Sequence, residues 1–198
     1  MNNYPEFIIH RINEISKLKL IPHQYGCEVD IRSYGSNLIL NHDPYLPGEN
    51  LKDYLDNYHH GTLVLNIKES GIESDVLKLV RERNISSFFL LDVEFPYLYE
   101  ASRKGEKNIA VRYSEEEPLK LVSNYINKVD WVWIDTITKL PIDKTVINKL
   151  NLIKTCLVCP ERWGRPNDIT KYKKRMNSLN FFPDAIMTSL DCINDWNK

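Results

Sequence analysis

Gly26 to Asp43 reads GCEVDIRSYGSNLILNHD, and how this stretch folds decides how the chain folds. Its first part alternates. Cys27, Val29 and Ile31 fall on one side of an extended strand and Glu28 and Asp30 on the other, because side chains two apart share a face. The apolar set is the half that packs. Gly35 marks a turn, a second short apolar segment follows, and the stretch stops on His42-Asp43. Two neighbouring carboxylates repel each other unless a cation or a bound proton separates them, so the polar side of this strand asks for a partner.

Outward from that stretch, apolar runs of strand length recur with helix-like segments between them. The pattern predicts strands over 7–10, 26–32, 62–68, 87–93, 108–112, 131–135, 154–159 and 185–188, with an extra short strand at 38–42. Helical segments fall at 12–18, 51–57, 72–83, 97–103, 116–127, 144–150 and 169–179, with a last turn or two through 196. Strands alternating with helices make a parallel sheet with helical crossovers. Eight such units predict an α/β fold, a compact (β/α)8 TIM barrel. That barrel usually takes about 250 residues, so with 198 its helices must be short. The rival, an open doubly wound sheet, lacks the glycine-rich phosphate loop that would support it. No linker or internal repeat divides the chain, and residues 1–198 are expected to form a single domain.

Composition excludes several classes of function. Hydrophobic residues make up 42% and charged residues 27%, as in ordinary globular proteins. A net charge of −1 carries no basic footprint for nucleic acid. No apolar run approaches bilayer length, and MNNYPEFIIHR does not have the form of a signal peptide, so a cytoplasmic protein without stable membrane association is expected. Cys156 and Cys159 form a C-x-x-C, but strand-like residues separate them and the other cysteines are distant, which argues against a zinc site or disulfide framework. The lean toward Lys, Asn and Ile suits an AT-rich bacterial genome.

Nearly every predicted strand finishes on ionisable or polar groups: His10-Arg11, Glu28 and Asp30, His42-Asp43, Asn66 and Lys68, Asp92 and Glu94, Arg112, Asp135 and Glu161. Barrel enzymes collect catalytic residues on the C-terminal face, and each such group is costly to bury without a partner. Trp131, Trp133, Phe181 and Phe182 read as packing, and the acidic run Glu115 to Glu117 as a favourable helix N-terminus. Asp135, Glu161, Arg162 and Arg165 lie where a barrel mouth would read polar substrate groups.

His-Arg after the first strand, Glu-x-Asp on the second, His-Asp shortly after and x-x-Lys on the third resemble the glycerophosphodiester phosphodiesterase family and its phosphatidylinositol phospholipase C-like relatives. The residues are His10-Arg11, Glu28-Val29-Asp30, His42-Asp43 and Asn66-Ile67-Lys68, and they span the first third of the chain. The resemblance implies a phosphoric diester hydrolase with one divalent cation, Mg2+ or Ca2+, held by Glu28, Asp30 and Asn66. It further implies His10 and His42 as the acid/base pair, with Arg11, Lys68 and Arg112 as phosphate-binding groups. Hard carboxylate oxygens suit such cations, and phosphodiester cleavage needs a base, an acid and positive charge for the phosphoryl oxygens. The expected substrate is a small soluble diester, a glycerophospho-alcohol or a related glycerol- or sugar-phosphate conjugate. Three departures stand out. Asn66 replaces an acidic ligand, for which Asp92 or Glu94 is the other candidate. Ile12 stands where the family has glycine, and the large insertion after the third strand is missing. The alternative function is a catalytically inactive barrel that binds a phosphorylated ligand in a biosynthetic complex.

Overall fold

The structure, a computed structural model, describes residues 5–197. These group into two compact units. One is Ile8–Lys104, and the other runs from Gly105 onward and includes Phe7 and the residues just before it. Along the chain of the first unit come the second half of β1 (Glu6–Ile9), then α1 (Ile15–Leu18), β2 (Gly26–Tyr34), β3 (Asn37–Leu40), β4 (Glu49–Asn50), α2 (Leu51–Asp56), β5 (Leu63–Ile67), α3 (Glu73–Glu82), β6 (Phe88–Leu91) and α4 (Phe95–Arg103). Ile8 and Ile9 of β1 pair in parallel with Gly26 and Cys27. β2 pairs with β5 from Cys27↔Leu63 to Ile31↔Ile67, and β5 with β6 from Leu63↔Phe88 to Asn66↔Leu91. Each strand is therefore next to its successor in the parallel series, with a helix between.

β2 is longer than its alternation alone predicts because it serves two ladders. Up to Ile31 it lies in the parallel sheet. From Ile31↔Leu40 to Tyr34↔Asn37 it is one arm of an antiparallel hairpin. Gly35 closes that hairpin at φ 62, a left-handed conformation that costs glycine nothing. The parallel part of β2 is buried on both faces, Glu28 and Asp30 included at 2% and 1% exposure, so the carboxylates do not look onto open solvent. α1 begins later than its apolar spacing predicts. Ile12 N donates to Glu28 O at 2.8 Å, and the Asn13 side chain is bonded to Asp30, which commits both residues to β2 instead of a helix.

In the second unit come β7 (Ala110–Tyr113), α5 (Leu119–Tyr125), β8 (Trp131–Ile134), α6 (Lys144–Leu150), β9 (Lys154–Val158), α7 (Ile169–Ser178), β10 (Ala185–Thr188) and α8 (Ile193–Asn197). β7, β8, β9 and β10 pair in parallel in that order. α5 starts at Leu119 and not in the acidic run: Pro118 keeps the residue before it out of the helix, and Ser114 Oγ accepts from the backbones of Glu116 and Glu117. Trp131, Trp133 and Phe181 are core residues, whereas Phe182 is half exposed and packs less than expected. Eight parallel strands taken in chain order, with short helices between them, have the α/β pattern of a (β/α)8 barrel. Among the described residues no helix is long and apolar enough to cross a membrane.

Candidate active site

Glu28, Asp30, Asn66 and Lys68 share one face of the β2–β5 pair. Asp30 and Asn66 are direct partners in the parallel register, and the period of two brings Glu28 and Lys68 to the same side. The hairpin then adds His42. Ile31↔Leu40 pairing and the bond from Asn41 N to Asp30 O at 3.0 Å bring the chain after β3 back beside the end of β2. Arg32 fastens it there, donating through Nε and Nη2 to His42 O at 3.1 and 3.0 Å and through Nη1 to Lys68 O at 3.2 Å.

The two buried carboxylates are solvated by the protein itself. Glu28 Oε1 accepts from Asn66 Nδ2 at 2.8 Å, and Oε2 accepts from the Arg11 backbone N–H at 2.9 Å with His10 Nε2 at 3.9 Å. Asp30 Oδ2 accepts from Asn13 Nδ2 at 2.9 Å and faces Arg11 Nε at 3.5 Å, while Oδ1 lies 3.1 Å from Lys68 Nζ. Lys68 Nζ also reaches Asp92 Oδ2 at 4.0 Å, so it bridges two acids. Burial and the charge of Asp30 push the Glu28 carboxyl up to about 7, against the downward pull of its bonds from Asn66 and Arg11. Arg11 and Asp92 both hold left-handed backbones, φ 57 and φ 59. Neither is glycine, and strain of that kind persists where the surroundings fix it, commonly at functional sites.

A cleft of about 600 Å³ opens beside this network, lined by Arg11, Asn13, Leu40, Asn41, His42 and Glu49 among others. His42 Nδ1 is 2.9 Å from Asp43 Oδ1. A carboxylate only accepts, so Nδ1 carries the proton and Nε2 is the basic nitrogen. The same bond holds the Asp43 carboxyl below its usual range.

The cation that the motif implies fits these residues poorly. Each of the four carboxylate oxygens of Glu28 and Asp30 already faces an N–H, guanidinium or ammonium group. Asn66 turns its amide nitrogen, not its oxygen, to Glu28. Its Oδ1 is buried without a hydrogen-bond partner, and it is a neutral donor. Among the described residues no group of three His, Cys, Asp or Glu side chains is arranged to hold a metal. Asp92 meets Lys68, and Glu94 is the residue preceding α4.

Arg112, expected at the phosphate, belongs to the second unit and ion-pairs with Asp135 at 2.9 Å. Asp135 also accepts from Trp163 Nε1 at 2.8 Å and from Thr136 N at 2.8 Å. Glu161 accepts from Ser189 N at 3.1 Å and from the Thr188 hydroxyl, and Arg165 holds Asp168 at 2.8 Å. Asp135, Glu161 and Arg165 thus knit the strand ends and loops of that unit together. Sequence reasoning overlooked Asn13. Nor does the strand pattern mark Arg32, which binds the carbonyls of His42 and Lys68. An Asn three residues after a motif histidine was the one available hint.

No protein-family model and no curated protein matches the chain. Among solved structures, one of a candidate glycerophosphoryl diester phosphodiesterase from Agrobacterium tumefaciens str. C58 superimposes on 98% of this chain and 98% of its own, with a TM-score of 0.66 and 11% identity. The two chains share a fold. That likeness lies in the backbone of the whole chain, whereas the motif residues all lie in one unit.

Proposed function

We propose that the chain is a phosphodiesterase acting on a small soluble glycerophosphodiester or a related glycerol- or sugar-phosphate diester. The observation that carries the reading is the grouping of His10, Arg11, Glu28, Asp30 and Lys68 into one network, with Arg11 and His42 on the adjoining cleft. His42, oriented by Asp43, takes the proton of the attacking hydroxyl at Nε2. His10, beside the Glu28 carboxylate, protonates the leaving oxygen. Arg11 and Lys68 face the phosphoryl oxygens, where charge develops in the transition state, the guanidinium as a planar fork. Asn13 and Arg32 are positioning residues: one holds Asp30 and the other holds the backbone of His42.

Hydrolysis of bis(p-nitrophenyl) phosphate and of glycerophosphocholine tests this. His10→Ala and His42→Ala are each expected to lower kcat by about a hundredfold or more, with unfolding transitions near wild type. Wild-type rates in both variants would remove the assignment. A second reading, a barrel that binds a phosphorylated ligand without turning it over, is favoured by Asn66 in place of an acid. It predicts saturable phosphate binding with no diester consumed.

A further inference from the structure

The motif resemblance leads one to expect a divalent ion between Glu28 and Asp30, yet that space is filled by the protein's own donors. Lys68 Nζ sits 3.1 Å from Asp30 and Arg11 Nε 3.5 Å from it, and Asn13 and Asn66 supply neutral N–H groups at 2.9 and 2.8 Å. We infer that the positive charge presented to a phosphate at this site is supplied by Lys68 and Arg11 and not by a bound divalent ion, and that Asn66 is the substitution that makes this arrangement stable. The inference deepens the phosphodiesterase reading and rests on it only for the identity of the anion.

A hard cation held at one point by protein groups needs several anionic oxygens that are not already neutralised. Two carboxylates with an ammonium and a guanidinium against one of them leave little attraction for a doubly charged ion, and Lys68 would be repelled by one placed there. A third carboxylate at position 66 would restore that attraction. With an amide there instead, the side chain donates to Glu28 and releases Lys68 to bridge Asp30 and Asp92. Lys68 keeps 17% of its side chain exposed and Arg11 keeps 38%, and Arg11 lines the cleft. Both charges thus remain within reach of an anion. A phosphate would find a compact ammonium and a planar guanidinium already oriented, with no ion to recruit.

The test uses the full chain after dialysis against EDTA. Melting is followed while Mg2+, Ca2+ or Mn2+ is added at constant ionic strength, and inorganic phosphate is titrated by calorimetry with EDTA present. The wild type is expected to show no saturable rise in Tm with any of the three cations and to bind phosphate undiminished by EDTA. Asn66→Asp is expected to acquire a saturable, metal-dependent rise in Tm. Lys68→Met should weaken phosphate by about tenfold or more, as loss of a charge-assisted contact does. Because that variant strands Asp30, the paired variant Asp30→Asn/Lys68→Met is measured beside it and should show the same weakening. A saturable Tm rise in the wild type, loss of phosphate binding in EDTA, or undiminished phosphate binding in the folded paired variant would each overturn the inference. If Asn66→Asp does not fold, the wild-type titrations decide alone. Failure of the phosphodiesterase reading shows itself differently, as intact glycerophosphocholine under every condition, and leaves these titrations standing.

Discussion

Among single residues, what matters most is how each buried charge is satisfied. Glu28 is buried beside Asp30, so its ionised form is disfavoured in the folded state relative to the unfolded chain. A carboxyl raised from 4.5 to about 7 contributes stability that is fully present below pH 4.5 and is lost as pH rises through 7. Urea unfolding should therefore show stability falling between pH 5 and pH 8 by an amount on the order of a few kcal/mol. Glu28→Gln should flatten that part of the profile, and an unchanged slope in the variant would assign the pH dependence to another group. Arg32 makes a second prediction. Its guanidinium joins the carbonyls of His42 and Lys68, so Arg32→Ala should lower kcat about tenfold while changing KM little, with Arg32→Lys restoring only part, because a point charge cannot span both carbonyls. That Glu28 and Asp30 share a face, and Asn66 and Lys68 likewise, was legible in the sequence because a spacing of two is local. The orientation of the Asn66 amide and the reach of Asn13 and Arg32 were not, since each depends on which strand end lies beside it in space.

At the scale of elements, β2 is the pivot, and its two ladders explain which boundaries were readable. Alternation from Cys27 to Ile31 marks a strand, but nothing in that alternation says where parallel pairing gives way to the hairpin. β4, two residues long, exists only because Ile39 and Leu40 offer it an edge. Caps were more local: the Asn50 side chain accepts from Lys52 N and that of Asp143 from Val146 N, which fixes the starts of α2 and α6. Two glycines separate packing from backbone conformation. A Cβ at Gly26 would lie 2.2 Å from Thr62 O, whereas Gly35 has open space but φ +62. Gly26→Ala should therefore cost about 2–3 kcal/mol by forcing β2 away from the start of β5, and Gly35→Ala about 1 kcal/mol from the left-handed turn alone. Denaturant midpoints give both values, and equal costs would contradict the close approach at Gly26.

At the scale of the whole molecule, strand count and order were written in the hydrophobic pattern, because a parallel strand buried on both faces leaves a dense apolar run and its crossover helix leaves a periodic one. The likeness to a solved barrel across 98% of both chains agrees with that reading. What the pattern could not convey is how charge is settled where the strands end, and that is what separates a metal-loaded site from one that presents its own cations. Whether these strand ends cut phosphodiesters is decided by phosphorus NMR of glycerophosphocholine and related glycerophosphodiesters, followed with the wild-type chain and with His42→Ala. The wild type is expected to consume the diester resonance of at least one of them in favour of a monoester or cyclic phosphate, and His42→Ala to leave it in place. A folded wild-type chain that leaves every diester resonance intact, or a His42→Ala chain that consumes it as fast, would rule out this chemistry at His42.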